Sequence, residues 1–158
     1  MANAKLNPVA LARLRGQEAP NDEQPDREDA VIIPARPRPI AAIIADLSRP
    51  LPARHVRSRV QGGKTLHYLE WHVAVRYLDH FAPGWTCAVR GVTALAGRCV
   101  VTVRVTIPAA EGPVHREATG TEDEDLSGYG DPSSNAEAMA LKRAAAKFGL
   151  GLYLYSAK

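Results

Sequence analysis

The stretch Ser134–Gly149, SNAEAMALKRAAAKFG, decides the fold class. It opens on a capping-box pattern, Ser134-Asn135-Ala136-Glu137, in which a serine oxygen meets the N3 amide and a glutamate reaches back to the cap. Alanine, the strongest helix former, dominates the residues after it. Gly149 supplies a C-terminal stop. A helix is therefore predicted over Ala136–Phe148. Ala138, Leu141, Ala145 and Phe148 share one face, predicted to lie on a sheet. Arg143 and Lys147 share another face, about 100–140° round from Lys142 at 3.6 residues per turn. The small alanines between these cations let a nucleic-acid backbone or a neighbouring subunit come close.

The segments before this helix read as strands. Trp85–Leu95 and Arg98–Pro108 flank Ala96-Gly97 as a hairpin, and Val114–Glu122 follows as a third strand. Val101, Val103, Val105 and Ile107 fall on one face of the middle strand, and Thr102, Arg104 and Thr106 on the other. Cys87 and Cys99 lie on adjacent strands, where they are expected to face each other as core thiols. Thr121–Asp131 is read as an acidic loop. Further upstream, Val56–Val60 and Lys64–Leu69 flank Gln61-Gly62-Gly63 as a second hairpin. A helix over Glu70–Phe81 follows, with Trp71, Ala74, Val75, Leu78 and Phe81 as its apolar stripe. A shorter helix is expected at Ile40–Leu47. Residues 1–39 hold six of the 12 prolines and an acidic turn-rich stretch, Glu18–Asp29. They read as a flexible arm with a short helix at Pro8–Arg15. The predicted class is α+β: an antiparallel β-meander with a final helix, preceded by a basic hairpin and a helix. The predicted domains are the arm, 1–39, and one folded domain, 40–158.

The net charge of +3 conceals strong segmentation. Pro34–Lys64 carries seven cations and one acid, Glu117–Asp131 carries six acids and no cation, and Lys142–Lys158 carries four cations and no acid. Such a chain can build patches of opposite sign. The basic residues Arg57, Arg59 and Lys64 accompany the hairpin, Lys142, Arg143 and Lys147 the last helix, and Tyr68 adds an aromatic. Cations with an aromatic suit a groove that tracks phosphates. These seven residues are the candidate DNA-binding set.

Other chemistries lack a motif. No Ser/His/Asp order, Walker-type sequence or phosphate-binding glycine loop is present, so no catalysis, ATP use or cofactor is expected. Among the five histidines only His67, His72 and His80 group together, at a spacing unsuited to zinc. Glu122-Asp123-Glu124-Asp125 lacks the order of a calcium loop and reads as a solvated turn or protein-contact patch. Two cysteines argue for reduced thiols and an intracellular protein. No apolar run approaches the roughly 20 residues of a membrane span, and no signal-peptide pattern opens the chain.

The residues Ser58–Glu70, SRVQGGKTLHYLE, Pro83-Gly84-Trp85, and Asn135–Leu150, NAEAMALKRAAAKFGL, preceded by Tyr129-Gly130-Asp131-Pro132, resemble the recombination-mediator (Rad-type) family of single-strand annealing proteins. Within that superfamily the chain looks closest to the bacterial branch typified by DNA damage response protein A. The resemblance runs from about Ile40 to Tyr155. It implies a β-β-β-α annealing core assembled into homo-oligomeric rings, with single-stranded DNA in a basic groove. The family's hairpin arginine falls on Arg59, its groove tyrosine on Tyr68, and its lysine-arginine pair on Lys142 and Arg143. A lysine-rich approach to the last helix, tied in the family to a second DNA site, is replaced here by acids. The family's C-terminal tail is not expected, because the chain ends at Lys158.

The resulting expectation is an ATP-independent single-stranded DNA binding and annealing protein that protects 3′ ends during double-strand break repair. Other repair proteins are expected as partners, and the location is expected to be the bacterial cytoplasm, at the nucleoid. Two alternatives stand beside it. One is a double-stranded RNA module, since the order α-β-β-β-α occurs in that fold. The other is a structural protein whose acidic and basic segments pair between subunits.

Overall fold

A computed structural model describes residues 36–125 and 130–156. The helix expected at Pro8–Arg15, most of the arm, and Tyr129 lie outside the described residues. Helix α1 spans Ile40–Leu47, strands β1 and β2 span Val56–Gln61 and Lys64–Leu69, and helix α2 spans Trp71–Phe81. Strands β3, β4 and β5 span Thr86–Leu95, Arg98–Ala109 and Gly112–Asp123. Helix α3 spans Pro132–Ala146, and a short 3-10 turn, Leu152–Tyr155, follows.

β3, β4 and β5 form one antiparallel sheet in that order, while β1 and β2 pair only with each other. The β1–β2 and β3–β4 turns each use two residues of positive φ, Gly62-Gly63 and Ala96-Gly97. That geometry matches the twist of paired strands and favours glycine. The inner face of β4 is as its alternation predicts: Val101, Val103, Val105 and Ile107 are buried. α3 lies over β4 and β5 and scarcely reaches β3.

The closeness of that helix has a cause. At Gly120 on β5, an added Cβ would stand 1.9 Å from the carbonyl oxygen of Ala136 and 2.6 Å from the amide nitrogen of Ala140. A residue without a side chain meets a helix face of alanines, so the two backbones touch. The buried residues of α3 are Ala136, Ala140, Leu141, Ala144, Ala145 and Ala146, and Phe148 is buried just beyond its end. Ala138, expected on that face, is only half-buried.

Several local expectations need correction. α3 is capped by Asp131, not by Ser134: the Asp131 carboxylate accepts from the Ser134 amide at 2.9 Å and from both the Ser133 and Ser134 hydroxyls. Pro132 takes the first helical position, where no amide donor is needed. These bonds hold the Asp131 carboxyl below the usual carboxylate range. On α2, Trp71 is 52% exposed, and the buried arc centres on Val73, Ala74 and Leu78. This helix packs against α1 and α3, which rotates its buried side away from Trp71. Cys87 and Cys99 do not face each other, because the β3–β4 register pairs Cys87 with Val105 and Cys99 with Ala94. Cys87 is exposed on the edge strand and Cys99 is half-buried. β5 runs from Gly112 to Asp123, so it takes in the expected strand Val114–Glu122 and one residue beyond it, and Thr121–Asp123, which the acidic loop was also expected to include, pair with Val100, Cys99 and Arg98.

The start of the described chain is pinned to the sheet. Arg38 offers its carbonyl to the Ala110 amide at 2.9 Å. Glu111, in the β4–β5 turn, accepts from the Ile40 amide at 3.0 Å and so serves the open N-terminus of α1.

Gly120→Ala is expected to destabilise the domain by about 1–3 kcal/mol, the range for overpacking a full interior. Chemical denaturation measures it, and Gly91→Ala on β3, where an added Cβ meets nothing within 4 Å, is the control.

Candidate nucleic-acid interface

Strand alternation first sorts the hairpin. Arg57 stands opposite Tyr68, Arg59 opposite Leu66, and Gln61 opposite Lys64. With a period of two, Arg57, Arg59, Lys64 and Tyr68 therefore share one face of the β1–β2 ribbon. The last helix then brings Lys142 to the same place. The Arg59 guanidinium lies 5.6 Å from the centre of the Tyr68 ring, and the Lys142 ammonium lies 5.7 Å from it. Both distances suit a cation–π interaction.

Around this trio is a groove of about 340 Å³. Arg59, Tyr68, Lys142 and Arg143 line it together with Leu66, Leu69, Met139, Leu150, Leu154 and Tyr155. Sequence pattern does not single out the apolar members. Leu154 and Tyr155 sit in the run Leu152-Tyr153-Leu154-Tyr155, whose aromatics are the one available signal.

Folding also divides the cations into paired and unpaired. Arg38 and Arg49 both engage Asp46, and Arg57 engages Glu70 at 3.3 Å. On the sheet, Arg104 engages Glu117 at 2.7 Å and Arg98 engages Asp123 at 3.0 Å. Much of the segmental charge is thus cancelled within the domain. Among the described residues, no carboxylate stands within ion-pair distance of Arg59, Lys64, Lys142, Arg143 or Lys147.

These five differ in placement. Lys64 sits beside the hairpin turn and does not line the groove. Arg143 lines the groove but donates to the Thr119 carbonyl at 2.9 Å. Lys147 donates to the Glu117 carbonyl. Side chains four apart on a helix are stacked on one face, and carbonyls two apart on a strand point the same way. Arg143 and Lys147 therefore cap the outer edge of β5. Of the seven residues selected from the sequence, Arg59, Tyr68, Lys142 and Arg143 line the groove together; Arg57 and Lys64 share the strand face without lining it, Arg57 being paired with Glu70, and Lys147 stands apart on the β5 edge.

Lys142 carries the electrostatic signature of the groove. Burial pushes its ammonium below the usual lysine value, and the neighbouring charges of Arg59 and Arg143 push it further, against a smaller opposing pull from Glu70. Cations held together with no carboxylate at ion-pair distance repel one another, and an anion placed among them would relieve that repulsion.

A family model described as the Rad52/22 family double-strand break repair protein matches residues 39–158. The chain belongs to the Rad52/22 family. It is similar to DNA repair RAD52-like protein 1, mitochondrial, of Arabidopsis thaliana, at 43% identity over 75% of this chain and 68% of that protein. It is also similar to DNA repair RAD52-like protein 2, chloroplastic, of the same plant, at 39% identity over 75% of this chain and 61% of that protein. These likenesses place the chain in Rad52-type DNA repair and recombination, and carry the family rather than the narrower bacterial branch. They overturn the expected bacterial cytoplasmic location, because both Rad52-like relatives are proteins of plant organelles.

A pH dependence follows from Lys142. Its ammonium loses its proton below the ordinary value of 10.5, whereas the arginines stay charged. Affinity for a polyanion is expected to fall as pH rises through that lowered value, and Lys142→Arg to flatten the fall; fluorescence anisotropy against pH reads both. In the free protein the sign for stability is opposite. The fold disfavours charged Lys142, so stability rises with pH between the lowered value and 10.5.

Proposed function

We propose that this Rad52/22-family chain binds single-stranded DNA in the Arg59–Tyr68–Lys142 groove and promotes annealing of complementary strands during recombination, without ATP and as a homo-oligomeric ring. The observation that carries this reading is the convergence of Arg59 and Lys142 on one tyrosine ring, from a hairpin and a helix far apart in sequence, with no carboxylate among the described residues within ion-pair distance of either. Such a site attracts a phosphate backbone without regard to base sequence.

Annealing follows from the same electrostatics. Two complementary strands repel through their phosphates, and a cationic groove lowers that repulsion. With the backbone gripped, base pairing itself supplies selectivity. Protection of 3′ ends is part of this reading, since a strand held along its backbone is shielded from exonucleases. The groove residues act as binding and positioning groups; no bond is made or broken.

The structural packing argues against the RNA alternative. A double-stranded RNA module sets both helices on its sheet, whereas here α2 packs chiefly on α1 and α3.

The test separates phosphate contact from architecture. Arg143 is left intact, because it also holds β5. Arg59→Ala/Lys142→Ala is expected to bind single strands more weakly and to lower the slope of log affinity against log salt by about 0.7 for each lost phosphate contact. Lys64→Ala is the comparison, with a smaller effect. If the double variant, folded by circular dichroism, bound and annealed oligonucleotides as the parent does, the groove assignment would fail.

A further inference from the structure

The 3-10 turn after α3 is fastened at some residues and open at others. The Leu152 amide donates to the Gly149 carbonyl at 3.2 Å, and the Leu154 amide to the Gly151 carbonyl at 3.0 Å. The Tyr153 hydroxyl accepts from the Leu51 amide at 3.0 Å, which ties the turn to the segment before β1. Leu154 is half-buried against the core. The turn also lies against β2, the strand that carries Tyr68. Tyr155 ends this fastened turn and is 62% exposed. Among the described residues, no aromatic ring stacks on it and no cation lies over it.

Two tyrosines therefore line the groove in different states. Tyr68 is half-buried, and its ring is engaged by Arg59 and Lys142. Tyr155 lines the same groove with an open ring. The rest of the lining has two characters: Arg59, Lys142 and Arg143 are cationic, while Leu66, Leu150 and Leu154 are apolar. A nucleotide has the same two parts, a charged phosphate and a flat base with apolar faces. A tyrosine suits the second part, since it offers a large rigid surface and has only two side-chain torsions to immobilise.

We propose that Tyr155 is the base-stacking residue of the groove: one face of a nucleobase lies on its ring while the adjoining phosphate meets Arg59 and Lys142. This inference rests on the single-strand reading above and adds the group that meets the base. Stacking occupies the face of the base and leaves its hydrogen-bonding edge open, so a held strand can still pair. It is tolerant of sequence, because every base has a π-face. It also sets the choice of substrate. Cations grip the phosphates of single and double strands alike, whereas the bases of a duplex are already stacked on one another. Tyr155 thus supplies a preference for single strands that the cations do not.

The experiment measures binding of the full chain to a thymidine oligonucleotide and to an abasic oligonucleotide with the same number of phosphates, by fluorescence anisotropy. The parent is expected to prefer the thymidine strand by about 5- to 140-fold for each stacked base. Tyr155→Ala and Tyr155→Leu are expected to lose that preference, with affinity for the abasic strand and the salt slope unchanged. Tyr155→Phe, which keeps the ring and removes the hydroxyl, is expected to retain it. Unchanged circular dichroism verifies folding of these variants at an exposed position. A preference that survives in Tyr155→Ala overturns the stacking role, as does an equal loss on both strands. Tyr155→Phe binding as weakly as Tyr155→Ala overturns it in favour of the hydroxyl, and Tyr155→Leu binding like the parent overturns it in favour of apolar bulk. In each of these cases the salt slope of Arg59→Ala/Lys142→Ala still decides the groove. A parent whose binding to both strands is indifferent to salt and to Arg59 and Lys142 overturns the groove reading and this one together.

Discussion

The contact between Gly120 and the alanine face of α3 sets the geometry of this domain. Side chains normally hold a helix well clear of the sheet beneath it. Here Ala136 and Ala140 meet a strand position without a Cβ, and the helix descends onto β5. That descent has two consequences. Arg143 and Lys147 come within reach of β5 carbonyls, which fixes the helix along its length. Lys142, on the next face, is presented toward the hairpin and its tyrosine. A helix held further out would require other side chains for both tasks.

Folding then acts on charge as a sorting device. The sequence shows blocks of cations and acids, and the simplest reading sets block against block. The structure pairs them more locally. Asp46 engages Arg38 and Arg49, Glu70 engages Arg57, and the sheet's acids meet its own arginines across strands. Exposed pairs of this kind contribute little to stability. Their effect is selective: they engage Arg38, Arg49, Arg57, Arg98 and Arg104, while the three cations that line the groove, Arg59, Lys142 and Arg143, have no carboxylate within ion-pair distance among the described residues.

Much of this is legible in the sequence because it depends on short-range periodicity. The alternation in β4, the glycine turns and the alanine helix all report local geometry. Arg59, Tyr68 and Lys142 are also identifiable, since charge, an aromatic and the family resemblance converge on them. The features that sequence pattern misses depend on tertiary placement. The capping-box pattern points to Ser134, although Asp131-Pro132 precedes it with a stronger cap. Trp71 fits an apolar stripe on the wheel, but the stripe's orientation is set by the neighbouring helices. Arg143 and Lys147 read as two more solvent-facing cations. Their engagement with β5 depends on the close helix approach, which no periodicity reveals. The lining contributed by Met139, Leu150 and Leu154 is hidden for the same reason.

The two-stranded ribbon of β1 and β2 has a mechanical consequence. An isolated hairpin is marginal, because it has no third strand and little buried surface. Of this one, only Leu69 is buried. The opposite wall of the groove belongs to α3, locked onto the sheet by backbone contact. The groove is thus a vice with one rigid jaw and one compliant jaw. The less buried side is the one that can yield, a property suited to a ligand of variable shape rather than to one of fixed shape.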